Sequence, residues 1–220
     1  MWETLDRIDS PEDFIYDPYL VLCLPLYMLD GASFMSREAY GHLCTVTGAL
    51  WTPQGRSFDG DDYITVPYSA SLNIASAITI KAVVKPLGAH TGGYGSLWWD
   101  QQQDSRNRIL ISDDGSVTAQ FIIGGVDKSA SAAAGSVPLN VFTDVVFTYD
   151  GAEIVLWING VKKTPTAATG AIEGSLGDRI IGKATTLLLN GVIGEKAVYN
   201  RALNPLEIQN NYLATKWRYK

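Results

Sequence analysis

The segment FTDVVFTYDGAEIVLWINGVKK, residues 142–163, decides the fold of this chain. Two runs of β-branched and aromatic residues stand on either side of Asp150-Gly151, and a second Asx-Gly pair, Asn159-Gly160, follows the second run. Asx-Gly pairs supply the positive φ angles that tight hairpin turns need, and β-branched and aromatic residues favour strands. The segment therefore predicts successive antiparallel strands joined by two tight turns.

The same pattern recurs along the chain. Residues 108–123, RILISDDGSVTAQFII, read as a strand, an Asp-Gly turn and a second strand. In AITIKAVVKP, residues 77–86, the even-numbered positions from 78 to 84 are apolar, and alternation places them on one face of a strand. Many short strands at this spacing predict an all-β sandwich or barrel rather than βαβ units.

Two helices are predicted, one near each end. Ser10-Pro11-Glu12-Asp13 combines an N-cap residue, a proline suited to the first helical position and acidic residues that favour a helix N-terminus. Asn204-Pro205-Leu206-Glu207 is a variant capping box. The helix that follows it places Ile208, Tyr212 and Leu213 on one side, which we expect to lie on the sandwich.

Composition limits the classes of partner. The chain has 220 residues, of which 46% are hydrophobic and 18% charged, which predicts one large domain with a full core. A net charge of −6 without a basic cluster argues against nucleic acid, and the longest apolar run, residues 20–29, is too short to span a bilayer. The acidic first eighteen residues are unlike a signal peptide. Cys23 and Cys44 are the only cysteines, and either two thiols or one bridge fits the sequence.

Four segments resemble the laminin-G-like jelly rolls of the concanavalin A-like lectin/glucanase superfamily. Residues 57–86 resemble the opening strands, residues 147–163 the central hairpin, DRIIGKAT at 178–185 the penultimate strand, and NGVIGEKAVYNRALNPLEI at 190–208 the closing strand and helix. The resemblance implies two packed antiparallel sheets of roughly twelve to fourteen strands. GHLCTVTGALWTPQGRSFDG, residues 41–60, is also similar to stretches of phage- or prophage-encoded laminin-G-like proteins.

We therefore predict an all-β, two-sheet antiparallel jelly-roll sandwich. A laminin-G-like domain is expected over residues 19–220, with a short C-terminal helix, and an N-terminal arm or helix over residues 1–18. The arm either caps the edge of the sandwich or docks the chain onto a larger assembly, since it carries apolar anchors such as Trp2 and Phe14.

Catalytic patterns are lacking in the sequence. Glycoside hydrolysis needs two carboxylates that flank one bond. The retaining glucanases of the superfamily carry E-x-D-x-E on one strand, a motif that this chain does not contain. Asp144 and Glu153 fall on different predicted strands, and most other acids lie in turns. We predict that the chain is not an enzyme, and a degenerate glycoside hydrolase is the weakest of three hypotheses.

The resemblance also implies a possible calcium ion. Asp59 and Asp62, beside Gly60, are the candidate ligands, although aspartates of this kind also simply form turns. Many relatives carry a further aspartate in the closing strand where this chain has Gly194, which removes one ligand. No other cofactor is expected.

Aromatic residues mark the predicted ligand site. Residues 90–108, HTGGYGSLWWDQQQDSRNR, mix rings that can stack on sugar C–H faces with polar groups that can bind hydroxyls. Adjacent tryptophans in a strand point to opposite faces, so one of the pair at 98–99 can be in the core and the other exposed. The alternative is that the rings fill the core or cover an edge. The candidates are Tyr94, Trp98, Trp99, Gln101, Arg108 and Trp157, with Asp100, Gln103 and Asn107 as further hydroxyl partners.

Two functions fit these features best. The first is a non-catalytic binding module whose partner is a carbohydrate or cell-surface glycan. The second is a structural protein that decorates a virion or particle and meets other assembly proteins through residues 1–18. Both place the chain at a virion or extracellular surface, and neither involves nucleic acid or membrane insertion.

Overall fold

The computed structural model describes residues 17–101 and 107–219, and it places them in two antiparallel sheets with one α helix. The eighteen strands are β1 Leu20–Leu24, β2 Ser33–Met35, β3 Leu43–Thr47, β4 Leu50–Thr52, β5 Gly55–Asp59, β6 Tyr63–Val66, β7 Ile78–Pro86, β8 Tyr94–Asp100, β9 Arg108–Ser112, β10 Val117–Ile123, β11 Val126–Ala132, β12 Thr143–Tyr149, β13 Glu153–Ile158, β14 Val161–Lys162, β15 Thr166–Ala167, β16 Arg179–Ala184, β17 Leu187–Leu188 and β18 Asn190–Tyr199. Helix α1 spans Pro205–Thr215, and 3-10 turns cover Ala70–Leu72 and Lys216–Tyr219.

Each sheet has nine strands. Sheet 1 runs in the order β14-β13-β12-β7-β18-β5-β4, with β1 added on β18 and β15 on β13. Sheet 2 runs in the order β11-β10-β9-β8-β16-β6-β3-β2, with β17 added on β16. The two-sheet antiparallel sandwich is therefore confirmed. The strand number exceeds the roughly twelve to fourteen expected because two-residue ladders such as β14, β15 and β17 count as strands.

The main core lies between the two sheets. Strand β7 shows the predicted alternation, because Ile78, Ile80, Ala82 and Val84 all belong to this core. Phe121 of β10 stacks on Phe147 of β12 with ring centroids 4.3 Å apart, which joins the inner faces of the two sheets. Burial of this apolar face stabilises the sandwich, since each fully buried large side chain contributes roughly 1.5–3 kcal/mol.

The hairpins predicted from the Asx-Gly pairs are present. Tyr149 pairs with Ile154 across Asp150-Gly151, and Gly151 has a φ of +96° that only glycine adopts without strain. Ile158 pairs with Val161 across Asn159-Gly160. Local turn chemistry therefore fixes the register of β12, β13 and β14.

Helix α1 covers part of the outer face of sheet 1. Its N-terminus is the predicted capping box: Asn204 Oδ1 accepts from the amide of Glu207 at 3.0 Å, and Glu207 Oε2 accepts from the Asn204 amide at 2.7 Å. Ile208 is buried against Val146, Val155 and Trp157. The prediction for Leu213 is wrong, because this side chain is 45% exposed, whereas Tyr212 is half-buried beside Gly160.

The remaining predictions concern the ends and the cysteines. Residues 1–16, including the predicted helix at Ser10–Asp13, lie outside the described residues, and β1 begins at Leu20. Cys23 lies in β1 of sheet 1 and Cys44 in β3 of sheet 2, and both are free thiols. Over residues 17–101 and 107–219, no helix is long and apolar enough to cross a membrane.

Candidate ligand-binding face

One row of directly paired residues crosses the outer face of sheet 2. The register joins, in order from β11 to β2, Ser129, Gln120, Arg108, Trp99, Ile180, Thr65, Thr45 and Ser33. The next residue along each strand belongs to the core, for example Ile109, Ala119 and Ile181, so the row itself faces outward. We call this row, together with Gln101 at the end of β8, the sheet 2 face.

Trp99 and Arg108 form the centre of the sheet 2 face. They are cross-strand partners on β8 and β9, so their side chains are neighbours, and both are half-buried. The Arg108 guanidinium donates from Nε and Nη2 to Gln120 Oε1 at 3.1 and 2.9 Å. This pair of hydrogen bonds holds the guanidinium in one orientation beside the indole.

A buried polar network lies directly behind these two residues. Asp100 follows Trp99 and points inward, where its Oδ1 lies 3.0 Å from Arg179 Nε and its Oδ2 accepts from Asn107 Nδ2 at 3.2 Å. Asn107 also donates to the Glu173 carbonyl at 2.8 Å. The network ties the end of β8 to the start of β9 and to β16. It therefore fixes the backbone that carries Trp99 and Arg108.

The network also changes the ionisation of its members. Burial raises the pKa of Asp100, and Arg179 and Asn107 act in the opposite direction. Lys196 reaches the core from sheet 1, with its Nζ 5.0 Å from the centroid of the Trp98 ring. Burial lowers the pKa of Lys196 well below its usual range, only partly offset by Asp100. A neutral amine is consistent with its position in the apolar interior.

The structure corrects two of the hydroxyl-partner predictions. Asp100 is 7% exposed and Asn107 is 1% exposed, so both serve the buried network rather than a surface ligand. Gln101 is exposed at the end of β8, as a hydroxyl partner would have to be. Gln103 lies outside the described residues.

Two of the predicted aromatic residues, Trp98 and Trp157, are buried apart from the sheet 2 face. Trp98 is 2% exposed in the main core, so the adjacent tryptophans do divide between the two faces of the sheet. Trp157 points away from Ile154, Leu156 and Ile158 as predicted, yet it is 5% exposed because Ile208 and Leu203 cover it. Burial excludes both rings from stacking on a ligand in this structure. The sequence pattern indicated their direction and could not show what covers them.

Tyr94 is exposed, but it lies at the opposite end of β8 from Trp99. Five residues of strand separate the two by roughly 15 Å. The loop before Tyr94 contacts the turn at Asp59–Asp62, which we call the aspartate turn, since Thr91 Oγ1 donates to the Gly60 carbonyl at 2.9 Å. The structure therefore does not bring Tyr94 together with Trp99 and Arg108.

The aspartate turn brings three carboxylates together. One oxygen from each of Asp59, Asp61 and Asp62 lies within 4.8 Å of the others. Asp62 is buried, and its Oδ2 accepts from the Asp59 amide at 3.0 Å, which is the ordinary turn-forming role. Burial raises the pKa of Asp62. Three carboxylates supply only part of the six to eight oxygens that calcium needs, so calcium at Asp59 and Asp62 stays a prediction.

Gly194 explains the missing aspartate of the closing strand. A Cβ at this position would overlap the ring of Tyr219. The C-terminal 3-10 turn thus occupies the space that a side chain at position 194 would need. The packing of the C-terminal segment is therefore incompatible with an aspartate at position 194.

One small cavity borders the buried network in the described part of the chain. A cavity of about 10 Å³ lies at the end of the sandwich beside Trp98, Asp100 and Arg179. Such a volume accommodates about one water molecule. A sugar ring is far larger than this cavity.

A second charged cluster was not expected from the sequence. Lys81 lies between two acids on the outer face of sheet 1: its Nζ is 3.4 Å from Asp144 Oδ2 and is hydrogen-bonded to Glu195 Oε1. Both acids lie on strands, as the sequence predicted, but their approach to Lys81 was not predicted. The only signal in the sequence was a lysine at an outward position of an otherwise buried strand.

The sequence also left Arg179 unrecognised as a support of the site. Its guanidinium contacts Asp100 and donates from Nη2 to the Leu72 carbonyl at 3.0 Å. These partners lie 79 and 107 positions away in the sequence. No local pattern could have indicated contacts over such separations.

Known proteins share this fold. Residues 58–209, more than half of the chain, match the Laminin_G_3 family, described as the Concanavalin A-like lectin/glucanases superfamily. No curated protein matches the chain in sequence.

Several solved structures superpose well on the chain. The binding domain of botulinum neurotoxin serotype G has a TM-score of 0.71 at 16% identity and covers 89% of this chain, which spans 51% of that domain. The binding domain of Paraclostridial Mosquitocidal Protein 1 has a TM-score of 0.70 at 15% identity, and the match covers 89% of this chain and 52% of that domain. Trypanosoma rangeli sialidase has a TM-score of 0.70 at 16% identity, with 93% and 34% covered.

These identities establish a common fold, and the chain spans about half or less of each of those structures. The match over residues 58–209 covers the opening strands, the central hairpin and the closing strand together. The chain therefore belongs to the laminin-G-like family of the concanavalin A-like lectin/glucanase superfamily.

Proposed function

We propose that this chain is a non-catalytic binding module that holds a saccharide on the sheet 2 face, at Trp99 and Arg108. The observation that carries the proposal is the pairing of a half-buried tryptophan with an arginine oriented by Gln120. The buried network of Asp100, Asn107 and Arg179 supports both from behind.

Each residue has a distinct part in binding. The Trp99 indole stacks on the C–H face of a pyranose ring, which removes apolar surface of both from water. Arg108 has donors left over from its bonds to Gln120, and these bind sugar hydroxyls or a carboxylate. Gln101 supplies a further exposed amide. Because Gln120 orients Arg108 and the network fixes the backbone that carries Trp99 and Arg108, little of their conformational entropy is lost on association.

The fold of the relatives supports a binding function. Two of the similar structures are described as the binding domain of botulinum neurotoxin serotype G and the binding domain of a mosquitocidal protein. A sialidase shares the fold as well, so the fold alone does not decide between binding and catalysis.

The arrangement of Asp144 and Glu195 supports a non-catalytic role. Glycoside hydrolysis needs two carboxylates on either side of a glycosidic bond. Here the ammonium group of Lys81 fills the space between them, and Tyr219 covers Glu195 with its hydroxyl 3.4 Å from Oε2. A substrate would have to displace both groups to reach the acids.

The test is saccharide binding by wild type and a Trp99→Ala variant. Wild type is first screened on a glycan array, and the affinity of any hit is then measured by calorimetry. We expect Trp99→Ala to bind about tenfold more weakly, because stacking accounts for roughly 1.4 kcal/mol of such an interaction. Trp217→Ala is the matched control, since Trp217 is 61% exposed at the other end of the chain and lies outside the sheet 2 face.

Two results would count against the proposal. If wild type binds no saccharide at millimolar concentration, the proposed class of ligand is wrong. Equal loss of affinity in Trp99→Ala and Trp217→Ala would show that binding does not use the sheet 2 face. Circular dichroism of both variants shows whether the sandwich is intact in each comparison.

Assembly into a virion or particle is the second candidate function. Strand β4 ends sheet 1, and its Leu50 and Trp51 are 71% and 40% exposed. Natural edge strands are normally protected, and exposed apolar residues on such a strand favour pairing with a second copy of the chain. This feature supports a subunit role that is compatible with saccharide binding on the other sheet.

A further inference from the structure

The charged cluster on the outer face of sheet 1 combines three neighbouring strands. Lys81 lies on β7, Asp144 on β12 and Glu195 on β18. Asp144 and Glu195 are both paired in register with Val83, two residues from Lys81 along β7. The two acids therefore approach the lysine diagonally from opposite sides, within reach of its long side chain.

The contacts in the cluster are unequal. Lys81 Nζ donates a hydrogen bond to Glu195 Oε1. The same Nζ forms an ion pair with Asp144 Oδ2 at 3.4 Å, which is longer than an ordinary hydrogen bond. Both carboxylate oxygens of Asp144 are buried and accept no hydrogen bond from the described residues. An amine thus rests against a carboxyl group that nothing else in this part of the chain engages.

Water has little access to the cluster. The side chains of Lys81 and Asp144 are 5% and 4% exposed, and that of Glu195 is 16% exposed. Tyr219, in the C-terminal 3-10 turn, lies over the cluster with its hydroxyl 3.4 Å from Glu195 Oε2. Buried charges are costly even when paired, so a reaction that replaces an ammonium and a carboxylate by one neutral amide is favoured in such a place.

We propose that Lys81 and Asp144 condense to an intramolecular amide, with Glu195 as the group that moves the protons. Lys81 Nζ attacks Asp144 Cγ, the Nζ–Cγ bond forms, and one Cγ–O bond breaks. Of the three protons of the ammonium group, one stays on the amide nitrogen and two leave with the Asp144 oxygen as one water molecule. Charge is balanced because one cation and one anion disappear together, and no oxidant or other co-reactant is required.

Glu195 makes the step possible. Burial alone would lower the pKa of Lys81, but Asp144 and Glu195 outweigh burial and raise it, so the amine must lose a proton before it can attack. Glu195, hydrogen-bonded to Nζ, accepts this proton and returns it to the departing oxygen. Burial, reinforced by Glu195 and opposed by Lys81, raises the pKa of Asp144 to about 6, which favours the protonated carboxyl that can lose water.

The product would join β7 to β12 covalently. Lys81 Nζ lies 3.4 Å from Oδ2, one of the two oxygens bonded to Cγ, so the fold holds the amine beside the carboxyl group it would attack. The bond would close a loop of residues 81–144, and it would resist reduction, unlike a disulfide.

The test is the intact mass of the denatured full chain after it has been kept folded for several days. Wild type is expected to be lighter than its sequence by one water molecule. Lys81→Arg keeps the positive charge but has no amine that can condense, so it is expected to have its full mass. Glu195→Gln keeps the shape of the side chain but lacks the proton acceptor. Most or all of this variant is therefore expected to have the full mass of its sequence.

Peptide mapping separates the amide from a competing dehydration. Asp-Gly pairs such as Asp59-Gly60 and Asp150-Gly151 can also lose water, by cyclising to a succinimide. The amide predicts a branched tryptic peptide that joins the segments around Lys81 and Asp144, with no cleavage after Lys81. Full mass in wild type, cleavage after Lys81 throughout the sample, or an equal water loss in Lys81→Arg would overturn the proposal.

Discussion

His90 shows how one buried residue can make stability depend on pH. Its ring is 6% exposed, and Nδ1 accepts from the Asn190 amide at 3.1 Å, which requires that this nitrogen carry no proton. Burial lowers the pKa of His90, with Asp113 acting in the opposite direction. The imidazole is therefore held neutral in the folded chain, while in the unfolded chain it titrates near 6.5.

A depressed pKa of this kind gives stability that is present above about pH 6.5 and is lost as the pH falls through the folded-state value. We expect the Tm of wild type to fall between about pH 7.5 and about pH 5. In His90→Gln, which can still accept from Asn190 but cannot be protonated, this fall should be smaller by a few degrees. Differential scanning calorimetry at both pH values measures it. Both chains contain His42, so an equal fall in both would show that His90 is not responsible.

At the residue scale, the sequence predicted side-chain direction better than accessibility. Alternation correctly sent Trp98 and Trp99 to opposite faces and Trp157 away from Leu156. It could not show that α1 would cover Trp157, since a covering element is placed by tertiary packing. Gly194 is similar, because its lack of a side chain makes sense only when the Tyr219 ring is in place.

At the scale of elements, helix α1 is marked locally and held by few contacts. The capping box of Asn204 and Glu207 satisfies amides that the first turn leaves unpaired, and Ile208 is the buried anchor. The amphipathic pattern overstated the buried face, because Leu213 is exposed. A helix pattern indicates which side is apolar but not how far the sheet beneath it extends.

Because few contacts hold the helix, the free energy of unfolding should depend measurably on the capping box. Asn204→Ala removes the acceptor for the Leu206 and Glu207 amides and should lower the free energy of unfolding by about 1 kcal/mol. Asn204→Ser retains a capping oxygen and should lose much less. Urea unfolding followed by circular dichroism measures both. Equal stability of wild type and Asn204→Ala would mean that packing of Ile208 alone holds the helix.

Strand elements were predictable for a different reason. Each turn is encoded within two or three residues, as at Asp150-Gly151, so strand ends and hairpin pairing follow from local sequence. The placement of β7 between β12 and β18 has no such code, since β18 lies more than a hundred residues further along the chain. The resemblance to a known jelly roll predicted two antiparallel sheets, but the sequence analysis did not predict this strand order.

At the scale of the whole molecule, the outer faces of the two sheets differ in what covers them. Helix α1 and the C-terminal turn cover sheet 1 at Trp157 and Glu195, while the sheet 2 face presents Trp99 and Arg108. In the proposed function, the ligand binds the sheet 2 face, which these elements leave uncovered. The proposed amide would act on the covered face, so its loss should leave saccharide binding intact.

The N-terminal arm tests whether assembly is a separate property of the molecule. The predicted arm covers residues 1–18, and Asp17 within it bonds Arg201 Nη2 through Oδ2 at 2.8 Å. A deletion of residues 1–16 therefore keeps this ion pair and leaves β1, which begins at Leu20, complete. If the arm docks the chain onto other subunits, light scattering should show assemblies for the full chain and monomers for the truncated one. The Tm and the saccharide affinity should stay close to those of the full chain, because β1, the core and the sheet 2 face are unchanged. An unchanged distribution of assemblies after truncation would reject docking through the arm, and a large fall in Tm would instead assign residues 1–16 to the fold.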